Sequence, residues 1–176
     1  GAMNGRVNRI QLGGYTFIGY SLAGEESVVG VAELNVCFDI GRAPSEVLNL
    51  DHVLLTHGHM DHAAGIAYYF SQRNFLDNPG GTLVVPVALV EPVHRLMAAW
   101  REIEGHRTPY QVVGLQPGED YPLRRDLVAR AFQTTHGGPC LGYSVIEIRH
   151  KLKPEFYGLP GPKLAAMSRE GADLTY

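Results

Sequence analysis

The chain has 176 residues, 45% of them hydrophobic, and a formal net charge of −3. This length suits one domain of ordinary size, and the negative charge excludes the overall basicity that draws many proteins to nucleic acid. Two cysteines are too few for a disulfide framework, and every apolar run is shorter than the ~20 residues that cross a bilayer. We therefore predict a protein of the reducing cytoplasm with no membrane association.

The first part of the chain predicts strands and no long helix. Short β-branched and apolar runs there are separated by turn residues, which is typical of successive short strands. Gly13 and Gly14 mark the tightest of those turns. A helical turn follows, with Pro44 near its start. The predicted strands cover residues 7–12, 15–21, 27–31 and 34–38, and the helical turn covers residues 43–49.

The rest of the chain predicts helices alternating with strands. The first helix stops before a run of Asn, Pro and two Gly at residues 78–81. The second helix has apolar residues at three- and four-residue spacing, which predicts a stripe that faces the core. That stripe consists of Leu89, Val93, Leu96, Met97 and Trp100. The predicted helices cover residues 63–76, 88–103 and 163–169, and the strands cover 51–55, 82–85, 110–113, 127–134 and 142–148.

Four metal-binding side chains lie where a buried strand is expected to turn into a helix: His57, His59, Asp61 and His62. In extended backbone, His57 and His59 point to the same side and can hold one ion, while the other two can serve a neighbouring ion. Imidazole and carboxylate suit zinc, and also iron or manganese. The alternative is a polar helix start in which the histidines are exposed and Asp61 offsets the helix dipole.

This cluster resembles the signature of the metallo-β-lactamase superfamily, and the wider sequence is most similar to the ribonuclease Z branch of that superfamily. Residues 35–41 resemble the strand ending in Asp-x-Gly that precedes the metal motif. Residues 136–143 resemble a later ribonuclease Z motif, a histidine followed by Pro-Ser-x-Gly-Tyr. Residues 158–164 and Gly171 resemble the Gly-Pro-rich stretch that comes next. The resemblance runs from about the Asp39 strand to the C-terminus.

The resemblance implies an α/β fold, the four-layer αββα sandwich of the metallo-β-lactamases, of which this chain supplies the first half and part of the second. Residues 1–3 look like the scar of a cleaved expression tag, so the implied domain covers residues 4–176. Within it, residues 151–176 form a Gly/Pro-rich segment that resembles an arm. Because no Gly-Asp-Thr strand motif follows His136, a longer chain or a second polypeptide is expected to complete the site.

The resemblance also implies two zinc ions, with Mn²⁺ or Fe²⁺ as other possible metals. His57, His59 and His136 would hold the first ion, and Asp61 and His62 would contribute to the second. Asp61 is also the candidate general base, acting with a hydroxide shared by the two ions. Asp39 is expected to orient a ligand imidazole or to brace the backbone of the metal loop.

Two positions depart from the ribonuclease Z pattern. Arg42 stands where the family usually has glutamate, and Cys140 stands where serine is common. The implied activity is nevertheless phosphodiester hydrolysis by a metal-dependent endoribonuclease, with tRNA 3′-end processing as the leading reaction. The expected partners are tRNA or another phosphodiester substrate, and either a second copy of the chain or a complementing C-terminal fragment.

Two other functions are open at the level of sequence. The same fold could hydrolyse small esters, thioesters, lactones or sulfate esters, and a substrate panel with zinc or manganese would separate these activities from RNA cleavage. The chain could also be an inactive half that needs a second polypeptide or acts as a binding module. That possibility predicts sub-stoichiometric metal and no turnover.

Overall fold

The computed structural model describes residues 7–135 and 138–176. Within these ranges, seven strands form a large sheet in which each strand pairs with the next along the chain. The predicted hairpin at Gly13 and Gly14 is confirmed, and both glycines have positive φ values of 59° and 82°. The strands are β1 (Asn8–Leu12), β2 (Tyr15–Leu22), β3 (Glu26–Val31), β4 (Val36–Phe38), β5 (His52–Leu54), β6 (Thr82–Pro86) and β7 (Gln111–Leu115).

The large sheet changes from antiparallel to parallel pairing at β4. Strands β1 to β4 pair antiparallel, whereas β4 to β7 pair parallel. Parallel neighbours end at the same edge of a sheet, and this edge is where α/β folds place their chemistry. Phe38 pairs with Leu54 in the β4–β5 register, so the residues that follow both strands come together there.

Helices cover one face of the large sheet, and a second sheet covers the other. The helices on the first face are α1 (Met60–Ala63), α2 (Ile66–Phe75) and α3 (Val90–Glu104). The second sheet is antiparallel and contains β8 (Asp120–Arg124), β9 (Leu127–Gln133) and β10 (Leu141–Glu147). Over the described residues the layers are therefore helix, sheet and sheet, which confirms the expected αββα architecture as a partial chain would show it.

Each face of the large sheet has its own apolar core. Cys37, Val53 and Leu83 pack toward the helices with buried residues of α2 and α3. Leu54 and Val84 point to the opposite face, toward buried residues of the second sheet. Burial raises the pKa of the Cys37 thiol, as expected for a packed core cysteine.

Three sequence predictions differ from the structure. The helix expected at residues 63–76 begins earlier, with α1, and is interrupted before α2 because Gly65 packs against the backbone of Arg42 and Ala43 with no room for a methyl group. β8 was not predicted; it contains Pro122, which a strand tolerates at an edge. In the α3 stripe, Val93 and Met97 are buried, but the prediction is wrong for Leu96 and Trp100, which are 38% and 40% exposed.

Residues 151–176 leave the second sheet and return to their starting point. Lys151 and Tyr176 exchange backbone hydrogen bonds, and the Lys153 N–H donates to the Leu174 carbonyl at 2.8 Å. The predicted short helix is present as α4 (Gly161–Arg169), with Pro162 in its first turn. The segment is thus closed at its base by chain pairing. None of the helices in the described ranges has the length and apolar character needed to cross a membrane.

Tyr143 joins the second sheet to the end of β5, because its hydroxyl donates to the Leu55 carbonyl at 2.7 Å. Burial raises the pKa of Tyr143, so the phenol stays protonated as a donor. We expect Tyr143→Phe to lower the free energy of unfolding by about 1 kcal/mol, the net value of one such bond, in urea titrations. Tyr157→Phe is the control because that ring is 63% exposed. Equal stability of the two variants would contradict this role.

Candidate metal centre

Three imidazoles gather just beyond the end of β5. The His57 ring centroid lies 4.7 Å from that of His59 and 4.1 Å from that of His62. His59 is still extended, with φ −62° and ψ 146°, and α1 begins at the next residue. One turn of α1 therefore brings His62 back against His57, closer than the spacing in the sequence indicated.

Asp61 lies beside this group of rings. Its Oδ2 is 3.4 Å from His62 Nε2 and accepts a hydrogen bond from the Gly24 backbone N–H at 3.2 Å. The carboxylate is thus held by the turn between β2 and β3, in addition to its position on α1. Its other oxygen, Oδ1, has no hydrogen bond within the described ranges.

Asp39 follows β4 and makes both kinds of contact that the sequence suggested for it. Its Oδ1 accepts a hydrogen bond from the Thr56 backbone N–H at 2.7 Å, which braces the start of the metal loop. Its Oδ2 lies 2.7 Å from His62 Nδ1. Asp39 is buried and has a positive φ of 57°. Its role toward a metal stays a prediction.

Thr56 connects Asp39 to His57, and sequence reasoning missed it. Its hydroxyl is 3.0 Å from both Asp39 oxygens and 2.8 Å from His57 Nδ1. A carboxylate can only accept, so the single hydroxyl hydrogen goes to Asp39, and His57 Nδ1 must carry the hydrogen in its own contact. The sequence feature that could have indicated this role is a hydroxyl residue just after β5, at the level where Asp39 follows β4.

These contacts favour one tautomer in two of the imidazoles. Both His57 and His62 use Nδ1–H toward the Thr56–Asp39 pair, which leaves the Nε2 lone pair of each ring available. Burial lowers the pKa of His57, and the neighbouring His62 and His59 add to that effect. A neutral ring is the form that binds a cation.

The donor set suits zinc, although the described side chains do not enclose a metal position. Three imidazoles and a carboxylate match the nitrogen and oxygen ligands of zinc sites. Among the residues that the structure describes, no group of three or more is already arranged around one point. His62 Nε2 faces Asp61 at 3.4 Å, a contact that a bound metal would replace. The expected third ligand, His136, lies outside the described residues.

The rings open into a cleft of about 700 Å³. His57, His59 and His62 form one wall, and Leu89, Pro139 and Cys140 form another. The apolar residues of the second wall limit the approach of water from that side. Cys140, at the position that departs from the ribonuclease Z pattern, therefore lines the same space as the imidazoles.

The sequence matches the profile of the metallo-β-lactamase superfamily over residues 26–76, a span that includes Asp39 and the whole cluster at 57–62. It is 35% identical to nuclear ribonuclease Z of Triticum aestivum over 167 residues, which are 95% of this chain and 95% of that protein. It is also 32% identical to tRNase Z TRZ1 of Arabidopsis thaliana over 166 residues, 94% of this chain and 59% of that protein.

A solved structure shares the fold. Human tRNase Z, short form (ELAC1), superimposes with a TM-score of 0.50 at 19% identity, over 76% of this chain and 59% of that chain. The chain thus spans about three-fifths of the human protein and of the Arabidopsis protein, and nearly all of the Triticum protein. Given its identity to the Triticum protein along that whole length, the chain belongs to the ribonuclease Z family of the metallo-β-lactamase superfamily.

Proposed function

We propose that this chain carries the metal-binding half of a ribonuclease Z-type phosphodiesterase that processes the 3′ end of tRNA. The observation that supports it most is the arrangement beyond β5, where His57 and His62 line a common cleft and their Nδ1 atoms contact Thr56 and Asp39. The relatives named ribonuclease Z and tRNase Z give the substrate class.

In this proposal His57, His59 and His136 hold the first zinc ion, and His62 contributes to the second. Bound zinc would activate water and offset the negative charge that develops on the phosphoester. Asp61 helps to hold the second ion, and its Oδ1, the oxygen without a hydrogen bond in the described ranges, accepts the proton from water. Asp39 and Thr56 keep two rings in the required tautomer and orientation. Leu89 and Pro139 restrict solvent at the cleft.

The chain alone offers RNA little positive charge. Several basic side chains in and after the second sheet already pair with carboxylates: Arg130 with Asp120 at 2.8 Å, Arg149 with Glu147 at 3.6 Å and Lys153 with Asp173 at 3.3 Å. Since phosphate binding depends on free cations, we propose that substrate affinity comes mainly from the metal cleft and from a second chain or segment. A cytoplasmic location also stays a proposal, since relatives include proteins named nuclear and chloroplastic.

A complementing segment has a suitable place to bind. Strand β10 pairs with β9 alone among the described strands, so one edge can accept another strand. Next to it, a cleft of about 780 Å³ between the two sheets is lined by Phe17, Val31, Phe38 and Val145. We propose that a C-terminal portion of a ribonuclease Z fold occupies this cleft; self-association as a homodimer is the other expected assembly.

An RNA cleavage assay tests the proposed function. With zinc or manganese, we expect cleavage of a 3′-extended tRNA next to the acceptor stem, by the chain alone or after addition of a complementing C-terminal segment. Asp61→Ala should abolish it, whereas Glu91→Gln, at an exposed position of α3, should not. Turnover of esters, thioesters or lactones with intact RNA would favour the small-ester hydrolase. Metal binding without any turnover would favour a binding module.

A further inference from the structure

We infer that the β2–β3 turn, residues 22–26, positions Asp61 and His62, and so supports the second-metal half of the site selectively. The inference rests on the proposed function. Two hydrogen bonds between a backbone N–H and a carboxylate link this turn to the site: the Gly24 N–H donates to Asp61 Oδ2 at 3.2 Å, and the Arg42 N–H donates to Glu26 Oε2 at 2.7 Å. Gly24 and Asp61 are 37 residues apart in the sequence.

Glu26 anchors the β2–β3 turn in the interior of the protein. Its side chain has no exposed surface, and a buried carboxylate is tolerated only where hydrogen bonds and charges compensate it. The Arg42 guanidinium lies 3.5 Å from Glu26 and 3.6 Å from Glu25. Arg42 stands where the family usually has glutamate, so this departure supplies a cation beside the buried carboxylate.

The segment at residues 39–43 lies between Glu26 and His62 and contacts both. A methyl group on Gly41 would lie 2.6 Å from Glu26 Cγ, so the two residues are in direct contact. The backbone N–H groups of Ile40 and Gly41 both donate to the His62 carbonyl, at 3.0 and 3.1 Å. The Gly65 N–H donates to the Gly41 carbonyl at 2.7 Å. The C-terminal end of α1 is therefore held by a segment that Glu26 contacts.

His57 is supported differently. Thr56, the residue before it, accepts the Leu141 N–H at 2.8 Å, and the Leu55 N–H donates to the Val84 carbonyl at 2.8 Å. The hydrogen bonds of the β2–β3 turn described above are made to Asp61 and Arg42. The two predicted metal sites thus share Asp39 but differ in their further supports, which are the β2–β3 turn for Asp61 and His62 and the β5–β10 junction for His57.

Glu26→Leu and Glu26→Gln test this inference in the purified chain. Glutamine keeps an oxygen that can accept the Arg42 N–H, and leucine does not. We assign the weaker class of zinc sites to Asp61 and His62, because this pair supplies one imidazole and the other site three. In zinc titrations against a chromophoric chelator, we expect Glu26→Leu to weaken that class by about tenfold, the usual scale for loss of a contact behind a ligand. The tighter class should stay nearly unchanged, and Glu26→Gln should resemble the original protein. Equal weakening of both classes in Glu26→Leu would indicate a merely structural role and overturn the inference.

Amide hydrogen exchange supplies a second readout that needs no metal. In Glu26→Leu the amides of Ile40 and Gly41 should lose protection by about tenfold or more, the consequence of a local opening, while those of Leu55 and Leu141 keep theirs. Unchanged protection at Ile40 and Gly41 would contradict the inference even if zinc binding fell. Failure of the original protein to bind zinc would instead count against the proposed function, and the exchange result would still decide the role of the turn.

Discussion

Replacing Asp39 by asparagine is expected to lower zinc affinity by roughly 10- to 100-fold, the range seen when a residue behind a metal ligand is changed. The reason is the hydrogen that the amide nitrogen carries. Asp39 Oδ2 lies 2.7 Å from His62 Nδ1 and accepts its hydrogen. With an amide nitrogen at that position, His62 Nδ1 must accept instead, so Nε2 carries the hydrogen and loses the lone pair needed for a metal.

Asparagine has nearly the same shape as aspartate, so Asp39→Asn changes the tautomer of His62 with little effect on folding. The amide oxygen can still accept from the Thr56 N–H, so we expect thermal stability to fall much less than zinc affinity. Asp120→Asn is the matched control, since Asp120 pairs with Arg130 on the second sheet, away from the cleft. Zinc affinity of Asp39→Asn equal to that of the control would show that Asp39 does not set the state of His62.

Arg73→Met is expected to lower the free energy of unfolding by about 2 kcal/mol, the scale for removing a charged donor from buried acceptors. Arg73 is 2% exposed. Its guanidinium donates to the Leu48 and Leu50 carbonyls at 2.7 and 3.2 Å, and to Asp51 Oδ1 at 2.6 Å. Methionine fills part of the space but leaves the Leu48 carbonyl and Asp51 without this donor, whereas the Leu50 carbonyl keeps its hydrogen bond from the Tyr69 hydroxyl.

The same variant should leave metal binding almost intact. Arg73 braces the chain just before β5, whereas the ligands follow the other end of that strand. Urea titration measures the stability loss, and chelator competition measures zinc affinity. Arg95→Met, at an exposed position of α3, controls for loss of charge. A stability loss below about 1 kcal/mol, the value of a single hydrogen bond, would contradict the assignment of Arg73 as a structural anchor.

The sequence predicted those features that depend on neighbours along the chain. Gly13 and Gly14 indicated a hairpin because a tight turn needs positive φ angles, and the density of histidine and aspartate at residues 57–62 indicated a candidate metal loop. The break between α1 and α2 was not predictable, because it depends on the approach of Gly65 to Arg42 and Ala43. β8 was not predicted because it contains Pro122, and proline is unfavourable inside a strand unless that strand lies at a sheet edge. The sequence of one strand does not show whether it lies at an edge.

The sequence predicted which side chains make up the candidate site, but not the hydrogen bonds that hold those side chains in place. The proximity of Asp39 to the metal loop followed from the resemblance, but the hydrogen bonds that Thr56 makes to Asp39 depend on the parallel register of β4 and β5. Gly24 and Glu26 reach the site across 37 and 16 residues. Contacts of this kind join segments that carry no shared sequence signal, so only the fold brings them together.

Zinc K-edge absorption, combined with zinc titration of the purified chain, tests the metal centre most directly. We expect zinc to bind with imidazole nitrogens at roughly 2.0–2.1 Å, the usual distance for histidine ligands. The variant His57→Ala with His59→Ala should lose that binding. The control His94→Ala with His106→Ala, in α3 and the following turn, should keep it. Zinc bound equally by both double variants, or a zinc shell without imidazole, would contradict a metal centre at the end of β5.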